Sequence, residues 1–149
     1  MVTQMALYIR SRLTNVYKQR ARHLRYQQKE RYGSQMDPEG DMATVFEIKE
    51  YTEGGHSPFA EWFNSLDAVT AARVDRYIRR LEAGNFGAAK SLQNGVFESR
   101  MDFGPGYRVY YGREGKTIII LLGGGNKRRQ STDIAAAIAR WKKYKAAGN

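Results

Sequence analysis

The 149-residue sequence contains no cysteine, only two histidines (His23 and His56) and three prolines. Missing thiols exclude disulfides, thiolate metal sites and a cysteine nucleophile, and two histidines cannot build a histidine-rich metal centre. No apolar run approaches the ~18 residues of a membrane span, and no charged-then-apolar leader with a small-residue cleavage site is visible. The expectation is a cytoplasmic protein. Acidic residues are scarce as well: 15 Asp and Glu stand against 25 Lys and Arg, a formal net charge of +10. What is present is ample core material, with 42% hydrophobic and 12% aromatic residues, which excludes a wholly disordered chain. Such basicity in a small protein points to a polyanionic partner, nucleic acid first. The alternative is a protein that is merely soluble and basic.

Two unequal segments are expected. Residues 1–41 form a basic N-terminal extension, helical or disordered. Between Arg10 and Arg31 it carries eight basic residues and one acid, Glu30. Leu13, Val16, Tyr17 and Leu24 fall at helical spacing, and turn chemistry follows from Tyr32 to Asp41. A basic amphipathic helix suits nucleic acid or an anionic membrane surface, whereas the bland reading is a solvated tail. A third reading starts the native chain at Met42, because Glu39-Gly40 can be encoded by a purine-rich stretch resembling a ribosome-binding site.

Residues 42–149 read as one compact domain of net charge +6, from 17 basic and 11 acidic residues. Alternation over residues 45–51 predicts a strand. Ser57-Pro58 then supplies an N-cap and a first-turn proline, and Phe59, Trp62, Phe63 and Leu66 lie on one helix face. Asp67 caps a second helix with Val74, Tyr77, Ile78 and Leu81 inward. The period turns to two from Val96, giving strands over 96–102, 107–111 and 117–122 separated by the turns Phe103–Gly106 and Arg113–Lys116. The last strand is apolar on both faces, as a central buried strand is. Ser131 or Thr132 caps a final helix with Ile134, Ala137, Ile138 and Trp141 on one side. The predicted class is α+β: an antiparallel sheet made of a strand, a helical hairpin, a three-stranded meander and a C-terminal helix.

Strand parity assigns Tyr107, Val109, Tyr111, Phe97, Ser99 and Met101 to the face under the hairpin. Arg100, Arg108 and Tyr110 then share the other face, and Lys127 arrives at the same end of the sheet. Two guanidiniums, an ammonium and a phenol suit a phosphodiester: Arg forks bind phosphate oxygens, and fixed positive charge stabilises a pentavalent transition state. RNA brings its own nucleophile, the 2′-hydroxyl, so the chemistry needs no metal and no cofactor. Tyr110 would orient a base. Gly124 and Gly125, in a strand exit whose amides can hold an anion, and Arg128 and Arg129 beside Lys127 complete the RNA-binding set. The competing reading leaves these arginines as solvated strand residues. His56 reads as a loop or capping residue, Lys142, Lys143 and Lys145 as favourable charge at a helix C-terminus, and Trp62 and Trp141 as packing residues.

Residues 98–111 (ESRMDFGPGYRVYY), followed by the glycine turn of residues 123–130 (GGGNKRRQ), resemble the RelE/ParE superfamily, and within it the HigB-like, phage-derived addiction module killer branch. Ser57-Pro58-Phe59 with Trp62 and Leu66 resembles that branch's first helix, and the similarity spans about residues 43–145. It implies a RelE-like fold and a type II toxin–antitoxin toxin that cleaves mRNA on the ribosome, silenced by a cognate, helix-turn-helix antitoxin. Arg108 matches the arginine taken to contact the scissile phosphate, Arg100 falls near a basic position of ribonuclease members, and Lys127 follows the glycine turn where a catalytic Arg or Lys stands. A C-terminal catalytic tyrosine has only Tyr144 as counterpart and stays unassigned. The reading from another functional class is a ParE-like toxin that inhibits DNA gyrase, or an inactive nucleic-acid- or antitoxin-binding module.

Overall fold

The computed structural model describes residues 16–32 and 45–148. The extension before residue 16, the turn-rich stretch 33–44 and the Met42 start lie outside the described residues. In chain order the elements are α1 (Val16–Tyr32), β1 (Glu47–Glu50), α2 (Pro58–Ser65), α3 (Ala68–Glu82), β2 (Ala89–Ser91), β3 (Val96–Arg100), β4 (Tyr107–Glu114), β5 (Ile118–Asn126) and α4 (Gln130–Ala146). They form an α+β fold around one five-stranded sheet of order β1-β5-β4-β3-β2.

Local chemistry starts the helical hairpin where the sequence marks it. Ser57 accepts from the Ala60 amide at 3.0 Å with Pro58 in the first turn, and Asp67 accepts from the Thr70 amide at 2.9 Å. Each such cap satisfies an amide that the helix itself leaves unpaired. Phe59, Phe63, Val74, Ile78 and Leu81 are buried against Val109, Tyr111, Ile119 and Leu121, so the parity assigned to the hairpin side holds. β5 is buried on both faces, because α4 covers the opposite side with Ala137 and Trp141 over Tyr110, Ile120 and Leu122.

Three features depart from the expected arrangement. β1 pairs with β5 in parallel, Glu47 opposite Ile118 through Glu50 opposite Leu121. The hairpin carries the chain from β1 to β2 at the far edge, and β3 and β4 bring it back to β5 beside β1, the long connection that a parallel neighbour requires. A short edge strand, β2, adds to β3. The last helix begins at Gln130, after a 3₁₀ turn at Lys127–Arg129 whose start is capped by Asn126, so Ser131 and Thr132 lie inside the helix.

The described part of the extension is a docked helix rather than a solvated tail. Tyr17, Ala21 and Leu24 of α1 are buried. The Tyr17 ring stands edge-on to Phe59 and Phe63, with centroids 5.3 and 5.5 Å apart. Arg20 donates to the Phe63 and Leu66 carbonyls, terminal acceptors of α2. Arg25 forks onto buried Asp75 of α3 at 2.8 and 3.0 Å. The apolar stripe needs such tertiary packing, since an isolated helix of this length is marginal in water.

Candidate functional site

The antiparallel ladder sets Arg100 of β3 directly opposite Arg108 of β4, and Arg108 opposite Gly125 of β5. The turn between β3 and β4 brings in Lys127. Gly106 adopts φ 73°, and a Cβ there would stand 3.3 Å from Arg108 Nη1 and 3.6 Å from Lys127 Cβ. The left-handed backbone favours glycine here, and a Cβ would also make the Arg108 guanidinium give way slightly. The Lys127 amide reaches the Pro105 carbonyl at 3.4 Å, and Arg108 Nη1 donates to the Gly106 carbonyl at 2.8 Å. The backbones at Arg100, Arg108 and Lys127 thus come together at one end of the sheet, the cationic corner.

They differ in accessibility. The Arg100 side chain is 56% exposed and pairs loosely with Asp102 at 3.3 Å. Lys127, Arg128 and Arg129 are exposed on the 3₁₀ turn. Arg108 is only 7% exposed, and its Nε lies 3.6 Å from Glu98 Oε1, a carboxylate that is itself 5% exposed. Gln130, the first residue of α4, donates to both Glu98 oxygens at 3.2 and 2.9 Å. The Arg108 guanidinium is therefore held in place by a buried carboxylate and a turn carbonyl rather than projecting freely.

Tyr110, expected on an open face, is fully buried beneath α4. Burial pushes its phenol pKa up, reinforced by the charges of Glu98 and Asp133, so the phenol is neutral at physiological pH. Contact with a base would require α4 to move. Gly124 and Gly125 belong to β5, paired with Val109 and Arg108 rather than forming a flexible exit. A Cβ on Gly124 would collide with the Trp62 ring, and one on Gly125 with the Asp133 carboxylate. Asp133 Oδ2 is buried with no hydrogen-bond partner, and burial raises the Asp133 pKa.

Glu98, Gln130 and Asp133 were not anticipated as members of this corner. The available signal was parity: Glu98 shares its strand face with Arg100 and lies opposite Tyr110. His56 is exposed and 3.3 Å from Glu61, Lys143 pairs with Glu53 at 2.5 Å, and Trp141 packs into the core under α4. The Tyr144 hydroxyl bonds to Glu114, away from the cationic corner. Among the described residues, no three His, Asp or Glu side chains gather into a metal site, and no helix is long and apolar enough to cross a membrane.

An uncharacterized protein of Haemophilus influenzae is 44% identical over 80 residues, which cover 53% of this chain and 81% of that protein. No solved structure matches the chain. Residues 61–142, from α2 into α4, match the family described as Phage derived protein Gp49-like (DUF891), and that span contains the whole Arg100–Arg108–Lys127 corner. The chain belongs to this Gp49-like family of phage-derived proteins, a family of addiction module killer toxins.

Proposed function

We propose that the chain is the toxin of a type II toxin–antitoxin pair and that it cleaves mRNA on the ribosome, without a metal, through attack of the RNA's own 2′-hydroxyl. The observation that carries the reading is the corner where Arg100 faces Arg108 and Gly106 seats Lys127 beside it. In this mechanism the 2′-oxygen bonds to the adjacent phosphorus while the bond to the 5′-oxygen breaks. The 2′-proton is given up, the leaving oxygen gains a proton, and the products carry a 2′,3′-cyclic phosphate and a 5′-hydroxyl. Charge grows on the non-bridging oxygens, and fixed cations lower the barrier because they need no reorganisation as it grows.

Arg108, clamped by Glu98 and the Gly106 carbonyl, supplies a pre-oriented guanidinium. Arg100 is the solvent-facing partner that meets the incoming phosphate, and Lys127 stabilises charge or protonates the leaving oxygen. Arg128 and Arg129 line the approach, whereas Gly124 and Gly125 act through β5, where Gly125 pairs with Arg108. Tyr110 supports the Arg108–Glu98 pair from below rather than touching a base. The family membership supports an antitoxin partner, for which a helix-turn-helix protein with an acidic or amphipathic segment fits the cationic corner.

Expression of the wild-type chain and of Arg108→Ala, with transcriptome-wide mapping of RNA 5′ ends, tests the proposal. New ends inside coding regions with the wild type, and their loss in the variant, are the expected result. Growth arrest with a DNA-damage response and no new ends would replace the ribonuclease by a gyrase-directed toxin.

A further inference from the structure

The outer face of α3 is unusual for a helix in a folded domain. Arg73, Arg76 and Tyr77 follow one another at i, i+3 and i+4, so they share one stripe. Asp75, the acidic residue in the middle of the helix, points the other way and is taken by Arg25. Arg73 and Arg76 are exposed. At its N-terminal half the stripe meets the β3–β4 turn: the Arg73 guanidinium lies over the Phe103 ring at 4.0 Å, and Tyr77 approaches the same ring at 6.0 Å between centroids. Phe103 in turn contacts Tyr107 at 5.3 Å, and Tyr107 contacts Trp62 at 6.2 Å. All four aromatic rings are half-buried, each leaving part of its surface to solvent.

This row ends at the cationic corner. Phe103 and Gly106 close one turn, the Gly106 amide donating to the Phe103 carbonyl at 3.3 Å, and Gly106 is the residue against which Arg108 and Lys127 pack. A core needs only the inward halves of these rings. It gives no reason for the Arg73 guanidinium to lie over the Phe103 ring, with exposed Arg76 one turn further along the same stripe. Alternating aromatic surface and positive charge is the combination that tracks a single-stranded polynucleotide, with rings receiving bases and guanidiniums receiving phosphates.

We infer that the α3 stripe and the β3–β4 turn, built from Arg73, Arg76, Tyr77 and Phe103, form a track that holds the single-stranded RNA flanking the bond to be cut. The inference rests on the proposed ribonuclease reading and extends it to substrate placement: the corner acts on one phosphate, and the track binds the nucleotides beside it. Charge complementarity selects the occupant. Among the described residues neither Arg73 nor Arg76 is in an ion pair, and Asp102 beside Phe103 pairs with Arg100 at 3.3 Å, so the stripe repels a basic partner surface and attracts a phosphate chain.

The probe is a fluorescein-labelled, 12-nucleotide oligoadenylate carrying 2′-O-methyl groups, which the chain cannot cleave by 2′-attack, titrated with the full chain over a range of KCl concentrations. The double variant Arg73→Gln/Arg76→Gln is expected to bind at least tenfold more weakly. Its log K against log[salt] slope should be shallower by about 1.4, from roughly 0.7 per phosphate contact on a single strand. Phe103→Leu is expected to weaken binding by roughly tenfold with the salt slope unchanged, the signature of lost stacking. Both arginines are exposed, and the packing lost is the Arg73 stack on Phe103, a small contribution at an exposed site. A thermal scan of the double variant should therefore still show a cooperative transition, a few degrees at most below the wild type, and that scan separates lost binding from lost folding.

Unchanged affinity and slope in the double variant overturn the track, even if Arg108→Ala abolishes cleavage. Loss of binding to an acidic antitoxin with RNA binding intact also overturns it, reassigning the stripe to the protein partner. If the stripe variants bind RNA as weakly as expected while Arg108→Ala still cleaves, the track stands and the cleavage assignment fails.

Discussion

Arg108 Nε and Glu98 Oε1 lie 3.6 Å apart, with both side chains more than nine-tenths withdrawn from solvent. A buried pair of this kind is costly to break from one side, because the remaining charge stays desolvated. Glu98→Leu and Arg108→Leu are each expected to lower the unfolding free energy by about 3–5 kcal/mol. The double variant should recover most of that loss. Urea denaturation of the four proteins measures the coupling; additive losses would show that the pair is not an energetic unit.

The docking of α1 depends on Arg25, whose partner Asp75 is buried. Arg25→Ala strands that carboxylate and is expected to cost about 1–3 kcal/mol. Hydrogen exchange provides the local readout: the amides around Ala21 and Leu24 should lose protection before those of β4 and β5. Uniform protection in the variant would contradict the docking.

Gly124 and the Trp62 ring leave no room for a Cβ between them. Gly124→Ala should destabilise by roughly 1–3 kcal/mol through overpacking. Trp62→Leu in the same chain should relieve much of the penalty, a recovery visible in thermal unfolding. A simple sum of the two losses would place the strain elsewhere.

Burial raises the Glu50 pKa, offset in part by hydrogen bonds from Ser57 and the Tyr17 amide. The folded chain therefore holds a proton at this site over a pH range where the unfolded chain has released it. The Glu50 contribution to stability is present below the unfolded-state value and is lost as pH rises through the folded one. Glu50→Gln removes that contribution. From about pH 4 upward, the variant's unfolding temperature should gain on the wild type's, and parallel curves would contradict the assignment.

The parts of the fold legible in the sequence are those written in local chemistry. Ser57-Pro58 and Asp67 announce helix starts through side chains three residues from the amides they cap, and period-two alternation over 96–122 announces the meander. The rest depends on partners distant in the chain. Arg25 meets Asp75 fifty positions away, so the docking of α1 has no local mark. The parallel pairing of β1 with β5 depends on the hairpin crossing to the far edge and the meander returning to β1. Parity placed Arg100, Arg108 and Tyr110 on one face, yet parity does not say what covers a face. The stripe from Ile134 to Trp141 shows that α4 packs on something, and only the fold shows that it lies over Tyr110. The same parity held Glu98, but a search for cations passes over the carboxylate that orients one of them.

The most direct test of the cleavage account uses ribosomes programmed with an mRNA that the wild-type chain cuts, alongside the same mRNA with one 2′-deoxynucleotide 5′ to the cut bond. The account predicts cleavage of the all-ribose message to a 2′,3′-cyclic phosphate and no cut at that bond in the substituted one. Equal cleavage of both messages, or ends carrying a 3′-hydroxyl and a 5′-phosphate, would contradict 2′-hydroxyl attack at the Arg100–Arg108–Lys127 corner.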